Sequence, residues 1–416
     1  MCCQRAVASI CPRKKFTRIL RDPLSDDHEF ATLSYDLAVI GGGILGLAHA
    51  LAGARLGKKV VVIERDLRAN GASIRNFGFI TVTGQARGAT WRRARRSRDI
   101  WEEVAPQAGI DIVQRGLLVC LRHRESLPVA DAFLTTEMGE GCALITPGEV
   151  ARHAPGLGGA GLLGALWSSH DLRVDSPSAI PRLAAWLAAS HGVTFLTQTA
   201  ALSVAPPTIE TSRGPIAAEA VVVCPGDDLV SLFPEAIAAR GVDKASLTML
   251  RLANPGFRIP STLMSDLSLV RYLGYAELPA AANLRRRLQA TDAPALAHGV
   301  HLIVAQGADG DLIVGDSHHY GDLADPFMSA QVEALILQEF EAATGMKPPP
   351  VISRWTGAYA HARERQMFVD TPATGVRLVM ITSGTGASTA FAIGEEVIGD
   401  LFGERPANAP LEAETP

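Results

Sequence analysis

Apolar residues run in short blocks near the start of this chain. Tyr35-Asp36-Leu37-Ala38-Val39-Ile40 stops at Gly41-Gly42-Gly43, and an Ala-rich segment with helical spacing, Leu47 to Leu56, follows Ile44-Leu45-Gly46. Lys58-Lys59 leads into Val60-Val61-Val62-Ile63, which ends on Glu64. Continuous apolar runs of this length mark strands buried on both faces, and the strand–helix–strand order predicts a parallel βαβ unit.

The rhythm then changes several times. Asn70 to Gly78 is a glycine-bounded loop, Trp91 to Ala105 a basic helical pattern, and Asp111-Ile112-Val113 and Leu117 to Cys120 read as strands. Thr146, with Glu149 three residues on, predicts a capped helix start. Asp175-Ser176-Pro177 opens a helix over Ser178 to Ser190, stopped at His191-Gly192, and Val193 to Leu196 is the next strand. Ile209 to Thr211, a turn at Arg213-Gly214 and the all-apolar Ala220 to Cys224 follow, the last ending at Pro225-Gly226. Between Leu247 and Asp316 strands dominate: Leu247 to Leu252, Leu267 to Leu273, His301 to Gln306 and Leu312 to Val314, which predict an antiparallel sheet in a second domain. Ser329 to Ala343 is a helix. Arg377 to Thr382 is again a buried strand, and it enters Ser383-Gly384-Thr385-Gly386-Ala387-Ser388-Thr389 before a helix over Ala390 to Leu401. The fold class is α/β, with a discontinuous Rossmann-like domain and a second α+β domain.

Composition narrows the classes. The 416 residues suffice for two domains, and 47% hydrophobic with 20% charged is ordinary for a globular chain. A net charge of −4 gives no general attraction to nucleic acid, so Arg92, Arg93, Arg95, Arg96 and Arg98 are read as a solvated helix face paired with Glu102 and Glu103. Leu37 to Ala54 lacks Asp, Glu, Lys and Arg, but five glycines in that stretch fit a phosphate loop and not a membrane span. The cysteines (Cys2, Cys3, Cys11, Cys120, Cys142, Cys224) match no zinc spacing and suit a reducing, cytoplasmic setting, with Cys120 and Cys224 as buried thiols. Residues 1–33 join no pattern; six basic residues and no acid in the first 21 leave a transit peptide open beside a disordered extension.

The glycine spacing carries the chemistry. Gly41 permits a tight turn, Gly43 lets backbone approach a pyrophosphate, Gly46 lets the helix pack on the strand, and Glu64 accepts ribose hydroxyls, so the unit reads as a dinucleotide site. A nicotinamide dehydrogenase would need this unit alone. The second strand-to-helix glycine turn at Gly384 to Gly386 favours a flavin enzyme, in which a helix N-terminus stabilises negative charge on the reduced ring.

These residues resemble the FAD-dependent oxidoreductases of the D-amino-acid oxidase superfamily, which includes glycine and sarcosine oxidases. The resemblance rests on Asp36 through Gly46, Glu64, Gly71-Ala72-Ser73, Val221 to Gly226 and Ser383 to Glu395. Ser73-Ile74-Arg75-Asn76-Phe77-Gly78, Gly84-Gln85, Met249-Leu250-Arg251, Gly315 to Gly321 and Thr382 to Ser388 further resemble a subfamily found among phosphonate-catabolism genes. The resemblance implies an FAD-binding domain over residues 34–85, 146–228 and 355–416, and a substrate domain over 86–145 and 229–354. It implies cofactor contacts at Gly41, Gly43, Ile44, Leu45, Gly46, Glu64, Arg65, Ser73, Arg75, Asn76, Ala201, Cys224, Gly226, Gly384, Thr385, Gly386, Ala387 and Ser388. Relatives attach FAD through a cysteine near the position of Gly357 or a histidine in the loop that here reads Ile74-Arg75-Asn76; neither is present, so the FAD is expected to be non-covalent. A lysine that promotes reaction with oxygen in some relatives has no counterpart in Leu312-Ile313-Val314.

The implied reaction is oxidation of a small zwitterionic primary or secondary amine, an aminoethylphosphonate or its N-methyl derivative, with a glycine, sarcosine or D-amino-acid substrate as the alternative. The substrate anion calls for arginine. Arg75 is the first candidate, then Arg251, Arg271 and Arg363, with Tyr272, His318, Tyr359 and His361 as pocket candidates. His318-His319 beside Asp316 invites a metal reading, but adjacent strand residues face opposite ways, and no metal is expected.

Overall fold

The structure is a computed structural model that describes residues 34–157 and 161–404. The amino-terminal extension read from the sequence lies outside the described residues. Strand β1 (Ser34–Ile40) pairs in parallel with β2 (Val60–Ile63), Leu37 opposite Val60 and Ile40 opposite Ile63, and helix α1 (Ile44–Arg55) crosses between them. On its other side β1 pairs in parallel with Ile216–Val223, which pairs in parallel with Val376–Ile381. Thr194–Leu196 extends the far edge beside β2. Every side chain of β2 is buried, as its unbroken Val-Val-Val-Ile run requires of a strand covered on both faces.

Two layers cover this sheet. On one face Leu37, Val39, Val62 and Val222 pack with Leu47 and Leu51 of α1 and Phe391 of the terminal helix Gly386–Leu401. On the other, Ala38, Val61, Val221 and Phe368 form a smaller core. Burying each such aliphatic side chain contributes about 1.5–3 kcal/mol. Gly53 sets the approach of α1, because a Cβ there would stand 2.7 Å from Leu37 Cδ2.

Among the described residues a second sheet of ten strands is largely antiparallel and carries the main core. Ile112–Leu121 lies between Thr262–Ser265 and Gly164–Val174. Asp243–Leu252 pairs with Leu312–Gly315 and, along its whole length, with Val351–His361. Phe79–Ile80 and Gly164–Val174 fall inside segments expected in the first domain, yet both belong to this sheet. Period-2 patterning marks a strand but not its partner, and tertiary pairing decides which sheet receives it.

One expected strand is absent. Leu267 to Leu273 forms a 3₁₀ turn, Asp266–Val270, followed by the short helix Leu273–Ala276. A short buried apolar run has no periodicity that separates strand from helix. Here Asp266 sets the turn, its buried carboxylate accepting from the backbone N–H of Arg122 and His123 at 2.8 and 2.9 Å. The Thr146–Glu149 capping box is present, and the helix opened by Asp175 runs Ser176–His191.

The arginine-rich helix Ala89–Gln107 is tied to the terminal helix. Arg93, buried, meets Glu396 at 2.9 Å and Arg96 meets Glu395 at 2.8 Å, while Arg98 reaches Glu102 at 3.4 Å. Cys120 and Cys224 are buried, and burial pushes the Cys120 thiol up to about 12. Among the described residues no helix is long and apolar enough to cross a membrane.

Candidate functional site

The first glycine turn is sterically obligatory. Gly41 sits at φ +105°, and a Cβ there would stand 2.3 Å from the Cys224 carbonyl oxygen. A Cβ on Gly46 would stand 1.8 Å from the carbonyl oxygen of Gly41, so α1 can start this close to β1 only with glycine there. The N-cap of α1 is Gly43, which offers no side chain to the first turn. Ser73 Oγ accepts the Ile44 N–H at 2.9 Å, and Glu64 accepts the N–H groups of Gly42 at 2.7 Å and Asp66 at 3.0 Å. The remaining first-turn N–H groups and the positive end of the helix dipole open onto a cleft.

That cleft crosses the carboxyl ends of the parallel strands, where open α/β sheets bind ligands. Its walls include Gly41, Gly43, Ile44, Leu45, Gly46, Glu64, Arg65, Ser73 and Asn76, then Ala201, Cys224 and Gly226, and at its far end Gly384, Gly386 and Ala387. Arg65 reaches Asp228 at 2.5 Å across the mouth.

A second cavity adjoins the first at Asn76, Phe79, Tyr359 and Gly384, residues that line both. Gly384 adopts φ +73°, and a Cβ would press on the Tyr359 ring at 2.9 Å. Thr385 is the N-cap of the terminal helix and Ser388 Oγ accepts the Thr81 N–H at 2.9 Å; both line the second cavity. The opposite wall carries Arg271, Tyr272, His301, Asp316, His318, Tyr320, His361 and Arg363. Arg271 donates to Tyr320 Oη at 3.0 Å, and His361 Nδ1 stands 2.6 Å from Asp243 Oδ1. Burial holds His318 well below the ordinary imidazole range and lowers His301 as well. Asp316 is held below the usual carboxylate range: His318, His301 and Arg271 outweigh its burial.

Two expected residues stand elsewhere. Arg75 is exposed and outside the lining of either cavity; its contribution is a backbone carbonyl that accepts Trp355 Nε1–H at 2.9 Å. The loop does face the cleft, but through Ser73 and Asn76, and a charged side chain between them turns to water. Arg251 is held on its strand by Asp309 and Asp311, the latter at 2.8 Å, which satisfies its guanidinium away from the cavity. Arg271, His318 and Tyr359 do line the second cavity. His301 is a site residue the sequence did not single out. Its strand pattern marked it as buried, and a histidine at the first position of a buried run was the available signal.

The family model described as "FAD dependent oxidoreductase" (DAO) matches residues 36–399. The chain belongs to that family. It is 28% identical over 209 residues to a glycine oxidase of Geobacillus kaustophilus, a match covering 47% of this chain and 55% of the relative, so the chain spans about half the length of that curated protein. The crystal structure of glycine oxidase from Geobacillus kaustophilus superposes with a TM-score of 0.70 at 20% identity, covering 90% of this chain and 96% of the other. L-proline dehydrogenase from P. horikoshii superposes with a TM-score of 0.73 at 19% identity, covering 90% and 95%. These two likenesses show the fold.

The first cleft fits the FAD that the family's description names. Gly41 and Gly46 leave backbone bare where a pyrophosphate would lie, the first-turn N–H groups of α1 that Ser73 does not take supply donors and positive potential, and Glu64 stands at the end of β2 for a ribose. The start of the terminal helix meets the cleft at Gly386 and Ala387, where a flavin pyrimidine edge would lie.

Proposed function

We propose that this family member oxidises a small amine bearing an anionic group, an aminoethylphosphonate or its N-methyl derivative, to an imine that water converts to an aldehyde and ammonia or methylamine. The observation that carries the reading is Arg271 in a polar cavity contiguous with the cofactor cleft. Bound FAD supplies a hydride acceptor. The chain's residues do the rest. Arg271 and Arg363 receive the anion, Tyr320 and His361 add donors beside them, and Tyr359 and Phe79 wall the junction and exclude water. A phosphonate, with up to two negative charges, uses several donors where a carboxylate is satisfied by one bidentate arginine. In this reading the first sheet carries the cofactor, the second forms the substrate side, the flavin is held without a covalent bond, and the enzyme works in the cytoplasm.

The glycine oxidase similarity favours a second reading, an amino acid in the same cavity. Anaerobic flavin bleaching separates them, with 2-aminoethylphosphonate, its N-methyl derivatives, glycine, sarcosine and D-alanine as the panel. Bleaching by the amino acids and by no aminophosphonate would replace the first reading with the second.

A further inference from the structure

The second cavity holds three electron-pair donors that converge on one point. His301 Nε2 lies 3.4 Å and His318 Nε2 3.7 Å from Asp316 Oδ2. His301 is 2%, His318 6% and Asp316 7% exposed. The outer ring nitrogens each face a partner that can take their proton in a hydrogen bond. His318 Nδ1 is 3.3 Å from the Gly299 carbonyl, which can only accept, so that nitrogen carries the proton and Nε2 presents a lone pair. Ser268 donates its hydroxyl to the His301 carbonyl at 2.9 Å, leaving its oxygen, 3.2 Å away, to accept from His301 Nδ1–H. In that tautomer the second Nε2 also presents a lone pair. Asp316 Oδ1 is buried and has no hydrogen-bond partner. Two imidazole lone pairs and a carboxylate, facing one another without a proton between them, repel unless a cation sits at their centre.

The spacing selects the cation. A metal bound at about 2.0–2.2 Å holds its donors roughly 3.0–3.5 Å apart. A substrate ammonium, with hydrogen bonds of about 2.8 Å, holds its acceptors roughly 4.6 Å apart. The observed 3.4 and 3.7 Å lie nearer the metal's spacing than the ammonium's, and all three ligand atoms lie within 4.8 Å of one another. Two imidazoles whose distal N–H groups are anchored by a carbonyl and a hydroxyl, joined by one carboxylate, form a ligand set for a first-row transition ion.

We propose that His301, Asp316 and His318 bind one divalent transition-metal ion of the zinc, iron or manganese class, with its open coordination positions facing the second cavity. An anionic substrate group would then bridge the ion and Arg271; that extension rests on the amine-oxidation reading, while metal binding does not. The partner of His318 is His301, seventeen residues upstream, and not the adjacent His319, which is exposed and stands 3.0 Å from His298.

The test uses the flavin-loaded full chain, stripped with a chelator, dialysed and titrated with Zn²⁺ by calorimetry, with metal content read by mass spectrometry. The expected result is one ion per chain at sub-micromolar Kd. Asp316→Asn and His301→Gln, each checked for an unchanged flavin spectrum, weaken it by at least about 100-fold. His319→Ala, which also removes the exposed His298 pair, leaves the titration unchanged. Absence of binding to the wild-type chain, or equal binding by wild type and Asp316→Asn, overturns the site. If the wild type binds no ion and Asp316→Asn abolishes anaerobic bleaching by an amine, the three groups hold the substrate ammonium and the metal assignment is wrong. Zinc binding as described with no amine able to bleach the flavin leaves the metal site standing and removes the substrate reading alone.

Discussion

Replacing Arg271 is the perturbation that bears most directly on the substrate side. Its guanidinium lines the cavity beside Tyr320, with one N–H donated to the phenol at 3.0 Å and the rest of the fork available. Arg271→Ala removes two charge-assisted hydrogen bonds to a bound anion, each worth about 1.5 kcal/mol at the low end for a charged group. The sum, about 3 kcal/mol, corresponds to a fall of roughly two orders of magnitude in kcat/KM. Arg271→Lys keeps the charge and loses the planar fork, so it should recover about tenfold of that loss. The assay is anaerobic stopped-flow reduction, which separates the substrate Kd from the rate of flavin bleaching. The loss should fall mainly on Kd, because the anion is bound equally in the ground and transition states. Arg75→Ala, on an exposed side chain, serves as the comparison and should stay within about threefold of wild type. A fall on Arg75→Ala as large as on Arg271→Ala, or an unchanged Kd in Arg271→Ala, would refute the assignment.

Other outcomes test other parts of the structure. Gly46→Ala puts a Cβ 1.8 Å from the Gly41 carbonyl oxygen and should give protein that no longer retains FAD through gel filtration. Denatured holoprotein should show the mass of the bare polypeptide in intact mass spectrometry, since no cysteine or histidine stands at Gly357 or Arg75; an added FAD mass would mean another attachment residue. His123 lies 3.0 Å from Asp266 and 3.5 Å from Asp292, whose hydrogen bonds push its pKa up to about 9 from 6.5. Its folded pKa is raised, so its stabilisation, at most about 3 kcal/mol, is complete below pH 6.5 and is lost as pH rises through 9. Thermal melts over that window should fall more steeply for wild type than for His123→Gln.

The features legible from the sequence are the ones with local causes. Gly41 and Gly46 are forced by atoms of the turn itself and of the strand next to it, so their spacing announces the geometry. Thr146 and Glu149 satisfy each other within one helical turn. Features decided by distant chain were not legible. Leu267 to Leu273 turns because Asp266 is claimed by Arg122 and His123 more than 140 residues away in sequence. Arg75 occupies a loop that faces the cleft, and only the packing of Trp355 on its carbonyl shows that the loop presents Ser73 and Asn76 instead.

The position of the second cavity follows from the same division. Tyr359 is on Val351–His361, a strand of the second sheet, whereas Gly384 lies in the turn that follows Val376–Ile381 of the first. Because Gly384 has no Cβ, which would stand 2.9 Å from the Tyr359 ring, the ring can lie against it and the two sheets meet there. The start of the terminal helix stands on one side of that contact and Arg271, His301, Asp316 and His318 on the other. In the proposed reading, substrate and cofactor meet at a seam between two sheets, each stabilised by its own core. Residues from the second sheet and its loops can change the charge and polarity of the substrate side without disturbing the glycine turns that hold the cofactor. In the proposed reading, the chemistry common to the family is set by local sequence around Gly41 and Gly384, and the choice of amine by side chains such as Arg271 and Asp316 that only tertiary structure assembles.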